Sequence, residues 1–151
     1  MREVYSSKYF DIATNLFTSF GYFNNPNDEQ KAINAMSSNL KENGILIIDF
    51  MNIKKVIPNL VKKEKKEING ITFNIKRSRK KDYIIKKIEI IEKDQRLIFE
   101  EKVKTITLAD FHIFINKAGL EIINVFGNYQ LEEFSAPSSN RLILVCKKQL
   151  L

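Results

Sequence analysis

Polar side chains follow two apolar segments of this sequence. Asn15 ends the first segment, YFDIATN, and Asp49 and Asn52 close the second, GILIIDFMN. The carboxyl ends of parallel strands meet at one edge of an open sheet, where such sheets bind ligands, so we expect these side chains to share a rim. A carboxylate there acts as a weak base or orients the hydrogen of a nucleophile. Asp49 is therefore a weak candidate catalytic residue, with capping or hydrogen bonding in the loop as the alternative.

Few other residues suggest chemistry. His112 is the only histidine and Cys146 the only cysteine. Since one histidine and one distant cysteine do not make a metal site, we predict none, and expect His112 on a helix surface and Cys146 in the core. A single cysteine forms no internal disulfide, which favours a cytoplasmic location. No apolar run approaches the roughly 18 residues of a membrane span, so we expect a soluble protein.

The formal net charge of +7 belongs to one region. Residues 54 to 104 contain 17 Lys and Arg against 8 Asp and Glu, which leaves 8 basic and 10 acidic residues elsewhere. Phe73 and Tyr83 flank basic clusters, a pattern that suits stacking of nucleic-acid bases. Acidic residues alternate with the downstream charges on the polar side of amphipathic strands, however. We therefore expect a solvated face, and do not expect nucleic acid as a partner.

Alternating strands and a helix would position the rim residues. The segment YFDIATN predicts a buried parallel strand, and the loop after it is rich in Asn, Gly and Pro. A helix is predicted over EQKAINAMSSNLKENG, with Asn25 or Asn27 as its cap and Asn43-Gly44 as its stop. The segment GILIIDF predicts a second parallel strand. This strand–helix–strand order indicates an α/β unit with a right-handed crossover.

Beyond residue 62 the hydrophobic period changes. Four segments between 63 and 106 alternate β-branched or aromatic residues with charged ones, which predicts half-exposed antiparallel strands. Helical periodicity returns over TLADFHIFINKAG, where Thr107 and Asp110 match a capping box and Gly119 ends the helix. The segments LEIINVFG and RLILVCKK predict two final strands. The turns between the four antiparallel strands are predicted at Asn69-Gly70, Lys81-Asp82 and Lys93-Asp94.

These segments, in this order, resemble class I S-adenosylmethionine-dependent methyltransferases that act on small molecules. The text FDIATNLFTSFGYF and LKENGILIIDFMN resembles the family's fourth and fifth strands. The text TLADFHIFINKAGLEIINVFGNY and SNRLILVCKK resembles its last helix and last two strands. The resemblance implies an α/β fold, the C-terminal half of a Rossmann-like methyltransferase sheet, as one partial domain over residues 1–151. Residues 63–106 match an antiparallel β insertion that several members carry before the last helix.

The resemblance implies an enzyme that uses S-adenosylmethionine and methylates a small molecule. In the family, residues after the fourth strand contact the cofactor, and the matching residues are Asn15, Leu16 and Phe17. Proximity and in-line alignment dominate methyl transfer, so the catalytic base need not be conspicuous. For the three residues assigned to the cofactor, the alternative is a structural role: Asn15 would end a strand, and Leu16 and Phe17 would fill the core. The residues expected to face the substrate are Thr18, Ser19, Tyr22 and Asn52.

The family's glycine-rich turn is absent from these 151 residues. The five glycines, at 21, 44, 70, 119 and 127, are too far apart to form it. The resemblance begins between the family's third and fourth strands, so we expect a truncated sheet that lacks strands 1 to 3 of the order 3-2-1-4-5-7-6. The strand over residues 9–15 would then be an open edge, which favours a companion N-terminal fragment or self-association as a dimer. A non-catalytic interaction or polyanion-binding module on the same scaffold is the alternative function.

Overall fold

The computed structural model describes residues 1–25, 27–93 and 95–150. The predicted turn at Lys93-Asp94 includes Asp94, which lies outside the described residues. The chain forms, in order, β1 (Phe10–Asn15), α1 (Asp28–Asn39), β2 (Leu40–Met51), α2 (Ile53–Val56), β3 (Lys63–Ile68), β4 (Ile71–Lys80), β5 (Tyr83–Glu92), β6 (Gln95–Lys104), α3 (Leu108–Lys117), β7 (Leu120–Phe126) and β8 (Arg141–Lys148).

The first sheet has the strand order β1-β2-β8-β7. Strand β1 pairs with β2 in parallel, while β8 is antiparallel to both β2 and β7. If β1, β2, β7 and β8 are matched to the family's strands 4, 5, 6 and 7, this order is the 4-5-7-6 half of the sheet that the resemblance implied. The predicted fold is therefore confirmed. Helices α1 and α3 contact each other, and each also contacts the sheet.

The boundary between α1 and β2 differs from the prediction. Asn27 is the N-cap residue as expected, although its side chain makes no capping hydrogen bond. The helix ends at Asn39 rather than at Asn43-Gly44, because Leu40 is already extended, fully buried and paired with Phe10 of β1. Tertiary strand pairing therefore overrides the local stop signal.

Gly44 has a packing role instead of a helix-ending one. A Cβ placed there would lie 2.9 Å from the carbonyl oxygen of Lys41 and 3.3 Å from that of Asp11. Since these are backbone atoms that cannot easily move, the close approach of the chain at this point requires glycine. The left-handed Asn43, with φ of 61°, bends β2 near its start.

The core lies between the first sheet and the two longer helices. Phe20, Phe50 and Phe111 are all fully buried, and the Phe111 ring lies 5.7 Å from that of Phe20 and 5.4 Å from that of Phe50, centroid to centroid. Cys146 is in the core as predicted, and burial raises the pKa of its thiol from 9.0 to about 12. His112 lies on the exposed side of α3, also as predicted.

Strands β3, β4, β5 and β6 form a second, antiparallel sheet in sequence order. It lies in the chain between β2 and α3, where the insertion was predicted. Asn69 and Gly70 both have positive φ, as the predicted hairpin turn requires. The capping box of Thr107 and Asp110 is also present at the start of α3. None of the described helices is long and apolar enough to cross a membrane.

Strand β1 is an edge of the first sheet. Within the described ranges it pairs with β2 on one side, and no strand lies on its other side. Tyr9 and Ile12 are 62% and 59% exposed, which is high for apolar side chains at a parallel strand. The backbone groups on the open side are a template for pairing with another strand.

Substitutions in α3 test the position of the core. We expect Phe111→Ala to lower the free energy of unfolding by about 3–5 kcal/mol, because it leaves a cavity between two buried rings. Ile113→Ala in the same helix is the matched control, since Ile113 is 53% exposed and its truncation should cost less than about 1 kcal/mol. Urea denaturation followed by circular dichroism measures both, and equal losses would contradict this description of the core.

Candidate functional site

The loop after β1 begins with an unusual backbone. Phe17 and Thr18 have φ angles of 56° and 58°, the left-handed region that favours glycine. For a β-branched residue such as Thr18 this conformation is an outlier, and such strain costs on the order of 1–3 kcal/mol. It persists only where the surroundings fix it, and such positions are concentrated at functional sites.

Asp49 fixes this loop. Its carboxylate oxygen Oδ2 accepts a hydrogen bond of 2.9 Å from the Phe17 backbone N–H, and its own backbone oxygen accepts one of 2.9 Å from Thr18. Arg141 donates from Nε to Asp49 Oδ1 at 2.7 Å and from its second guanidinium nitrogen to Thr18 Oγ1 at 3.0 Å. The Tyr129 hydroxyl donates to Asp49 Oδ2 at 2.9 Å. Both carboxylate oxygens of this buried residue are therefore already engaged.

Sequence reasoning missed Arg141 and Tyr129. Arg141 begins β8 and pairs in register with Met51, and its contact with Asp49 spans 92 positions of the chain. No local spacing signals a contact of that range. Tyr129 lies in the loop between β7 and β8. Aromatic residues are common in loops, so its type gave no signal of this contact. Only the meeting of three strand ends brings these two residues to Asp49.

Two tyrosines at this rim have perturbed acidity. Burial, followed by the hydrogen bond to Asp49, raises the pKa of the Tyr129 hydroxyl. Burial and then the nearby Glu101 carboxylate raise the pKa of Tyr22. Both phenols therefore remain protonated at neutral pH, and the Tyr129 hydroxyl donates its hydrogen bond to Asp49. Tyr22 is 47% exposed, so its side chain is accessible to a ligand.

Asn15 lies at the end of β1 and is 5% exposed. Its Nδ2 contacts the thioether sulfur of Met1 at 3.5 Å, and its Oδ1 accepts no hydrogen bond from any described residue. A buried acceptor left without a donor costs on the order of 1–3 kcal/mol, so native proteins rarely retain one without a reason. Asn15 lies at the carboxyl end of a parallel strand, the edge at which open sheets bind ligands, and its Oδ1 is available to a hydrogen-bond donor.

The remaining predicted residues take different positions. Leu16 and Phe17 are 39% and 76% exposed, so their side chains are accessible from solvent. Ser19 donates from Oγ to the Leu16 carbonyl oxygen at 2.6 Å and closes the turn. Asn52 is 2% exposed, and donates to the carbonyl oxygens of Ala136 and Ser139 at 2.8 Å each. Leu16, Phe17 and Ser19 thus lie together in the loop after β1, whereas the Asn52 amide points into the β7–β8 loop.

Two cavities lie beside α2, and Asn52 lines the apolar one. An apolar pocket of about 260 Å³ lies against the start of α3, and a more polar groove of about 470 Å³ lies between α2 and the second sheet. The two share Ile53, Lys54 and Thr107 in their walls. The described residues contain no group of three or more His, Cys, Asp or Glu placed to bind a metal ion. The further lining residues include Ile106, Leu108, Phe134 and Leu142 in the apolar pocket, and Arg79, Asp82 and Asp110 in the polar groove.

Several known structures share the fold of this chain. An S-adenosylmethionine-dependent methyltransferase from Clostridium acetobutylicum superposes with a TM-score of 0.84 at 18% identity, over 99% of this chain and 62% of that one. The CcbJ methyltransferase from Streptomyces caelestis gives 0.78 at 11% identity, over 95% of this chain and 59% of that one. An amino pentose methyltransferase from Micromonospora echinaspora, with S-adenosylmethionine bound, superposes with a TM-score of 0.67 at 16% identity, over 98% of this chain and 62% of that one. No protein-family model and no curated protein matches the sequence.

These similarities define the fold. The chain is an open α/β sheet with an antiparallel insertion. More narrowly, it has the fold of class I S-adenosylmethionine-dependent methyltransferases, as the resemblance in sequence implied. It spans about three fifths of the length of the first structures that it matches.

A paired substitution tests the role of Asp49 in fixing the loop. We expect Asp49→Asn to lower the free energy of unfolding by about 2 kcal/mol or more, because it leaves the half-buried Arg141 without a counter-charge. Asp11→Asn is the control, since the Asp11–Lys41 pair is exposed and should contribute less than about 1 kcal/mol. Urea denaturation at pH 7 measures both. Indistinguishable midpoints would show that Asp49 does not stabilise this rim.

Proposed function

We propose that this α/β unit forms the substrate side of a methyltransferase active site that uses S-adenosylmethionine and acts on a small molecule. The observation that carries the proposal is the strained Phe17–Thr18 backbone, fixed by Asp49 at the carboxyl edge of the sheet. The structures of similar fold, among them an amino pentose methyltransferase and a sugar N-methyltransferase, support it. A cytoplasmic location remains part of the proposal.

Asn15, Leu16 and Phe17 would bind the cofactor. The unsatisfied Asn15 Oδ1 fits a hydrogen-bond donor such as an amine, and the exposed Phe17 ring fits an apolar or planar group. S-adenosylmethionine, when bound, supplies an electrophilic methyl group. The fixed Phe17–Thr18 backbone then needs no reorganisation when the ligand binds, which lowers the entropic cost of alignment.

Asp49 serves as a positioning residue in this proposal. Because Arg141, Tyr129 and the Phe17 N–H engage both of its oxygens and the residue is 1% exposed, its carboxylate is not accessible to a substrate proton. The side chains of Thr18, Ser19 and Tyr22 would contact the substrate from the loop after β1. Asn52 would act on the substrate indirectly, since it shapes the β7–β8 loop beside the apolar pocket.

The open edge of β1 would accept the remainder of the sheet. This chain spans about three fifths of the similar structures, and within its described residues no strand pairs with the open side of β1. A segment that pairs there and carries a glycine-rich turn would complete the cofactor site. A second copy pairing at this edge would cover it without supplying that turn.

Titration with S-adenosylhomocysteine tests the function. We expect no detectable binding by the 151 residues alone. We expect micromolar binding by a complete form, made either by adding a polypeptide that carries the glycine-rich half or by expressing the protein together with the coding sequence upstream of Met1. In that complete form Asn15→Ala should weaken binding about tenfold, which corresponds to one hydrogen bond of about 1.4 kcal/mol. Asn124→Ala, an exposed asparagine of β7, is the matched control.

The outcomes separate two ideas. Micromolar binding by the 151 residues alone would support a cofactor site and contradict the need for a companion segment. A complete form that binds neither S-adenosylhomocysteine nor S-adenosylmethionine would contradict the methyltransferase proposal. Equal binding by the Asn15→Ala and Asn124→Ala variants would show that Asn15 does not bind the cofactor. It would not contradict the proposed function, which would then depend on the other residues.

The second sheet supports an alternative function, polyanion binding. Residues opposite each other in antiparallel register project from the same face of a sheet. By that register one face carries more basic than acidic side chains, and we name it the basic face. Within the described chain, Lys63, Lys65, Lys76 and Lys80 of this face make no ion pair, and Lys63 lies directly opposite Lys76. The charged residues of the basic face are Lys63, Lys65, Lys76, Lys80, Lys87, Arg96, Lys102 and Lys104, with Glu67, Glu89 and Glu100, and the same face also carries Ile85, Ile91 and Ile98.

Salt dependence tests this alternative. If the basic face binds single-stranded RNA, affinity should fall steeply between low and moderate salt, and Lys76→Glu should reduce the slope of log K against log salt by roughly 1. Lys117→Glu on the exposed side of α3 makes the same change of charge and should leave the slope unchanged. Fluorescence anisotropy measures both. Binding without salt dependence, or equal effects of the two variants, would contradict polyanion binding.

A further inference from the structure

The apolar pocket beside α2 has room for a ligand group but offers it few hydrogen bonds. Seven of its ten lining residues are apolar, and its volume is about 260 Å³. The Asn52 amide donates to two backbone carbonyl oxygens, and its Oδ1 accepts from the Lys54 backbone N–H. The Thr107 hydroxyl donates to Asp110 Oδ2 at 2.6 Å. Because these polar groups are already engaged, the pocket suits an apolar group better than an ordered water.

The polar groove on the other side of α2 is lined by four charged side chains. Lys54 lies in the walls of both cavities, Arg79 comes from β4, Asp82 from the β4–β5 turn and Asp110 from α3. Within the described residues, none of the four takes part in an ion pair. The groove thus keeps opposite charges apart. A ligand with one charge would meet a like charge there, whereas a ligand with both charges would pair each with its opposite.

The β4–β5 turn positions two of these charges. Arg79 donates from Nε to the Lys81 carbonyl oxygen at 3.3 Å, which leaves both terminal nitrogens of the guanidinium to a ligand. The Asp82 carbonyl oxygen accepts a hydrogen bond of 2.7 Å from the Thr105 N–H, so the turn is tied to the chain before α3. A guanidinium binds a carboxylate through two parallel hydrogen bonds, and a carboxylate accepts from an ammonium. The turn therefore presents partners for both charges of a zwitterion.

We propose that the two cavities together bind a zwitterionic small molecule with an apolar side group, of which an aromatic α-amino acid is the simplest case. Arg79 and Lys54 bind the carboxylate, and Asp82 and the second carboxylate oxygen of Asp110 bind the ammonium. The aromatic ring fills the apolar pocket.

The size of the apolar pocket fits such a ring. An apolar cavity of about 150 Å³ binds benzene, so a pocket of about 260 Å³ holds a phenyl ring and the carbon that links it to the charged groups. The site goes beyond the proposed function and does not depend on it, because its residues belong to α2, α3 and the second sheet rather than to the loop after β1.

Titration of the 151-residue chain with L-phenylalanine, followed by nuclear magnetic resonance, tests the site. We expect saturable shifts of the Ile53, Thr107 and Leu108 backbone amides, with a dissociation constant of roughly 0.1–1 mM. The affinity is modest because Lys54, Arg79 and Asp82 are exposed and solvent screens their charges.

Three control ligands separate the two charges from the ring. Hydrocinnamate and phenethylamine have the same ring but one charge each, and L-alanine has both charges without the ring. Each should bind at least about tenfold more weakly than L-phenylalanine, because each loses one of the proposed contacts.

Substitutions in the β4–β5 turn assign the two charges. Arg79→Gln should weaken the binding of L-phenylalanine at least about tenfold and leave that of phenethylamine unchanged, since phenethylamine has no carboxylate. Asp82→Asn should likewise weaken the binding of L-phenylalanine but not that of hydrocinnamate, which has no ammonium. Arg96→Gln is the matched control, since Arg96 is an exposed arginine of the same sheet on its basic face and should change neither.

Several results would overturn the proposal. One is the absence of saturable shifts up to about 10 mM L-phenylalanine, and another is equal binding of L-phenylalanine, hydrocinnamate and phenethylamine. Shifts confined to the loop after β1 would place the ligand elsewhere, and equal effects of Arg79→Gln and Arg96→Gln would show that the groove does not read charge. Circular dichroism checks folding, and Lys54→Gln replaces Arg79→Gln if that variant is unfolded. Because S-adenosylhomocysteine is tested on the complete form, failure of either proposal leaves the other standing.

Discussion

The ion pair between Asp49 and Arg141 is the interaction on which the functional rim depends. It joins the end of β2 to the start of β8, and through further hydrogen bonds it fixes both the loop after β1 and Tyr129. A carboxylate that is 1% exposed is tolerated only because several donors satisfy it. The energy of those contacts in turn offsets the strain of Phe17 and Thr18. One buried carboxylate thus connects the ends of three strands.

The two sheets of the protein have different functions in this description. The first sheet presents strand ends and a strained loop, which suits ligand binding at a carboxyl edge. The second sheet carries an apolar face and a basic face on its two sides, which suits contact with other molecules. Its proximal end shares the protein core, since Val103 packs in that core and the Lys104 N–H donates a hydrogen bond to the carbonyl oxygen of Gly21.

The sequence alone determined the order and type of nearly every element, because period, turn residues and the capping box are local signals. It also predicted that Asn15 and Asp49 lie at the same edge of the sheet, since both are near the carboxyl ends of parallel strands. Only the tertiary structure ended α1 at Asn39, because strand pairing with β1 overrode the local stop. It alone supplied Arg141 and Tyr129 and revealed that Asp49 is fully engaged. Contacts across 80 or more positions depend on how strands assemble, and no spacing in the sequence encodes them.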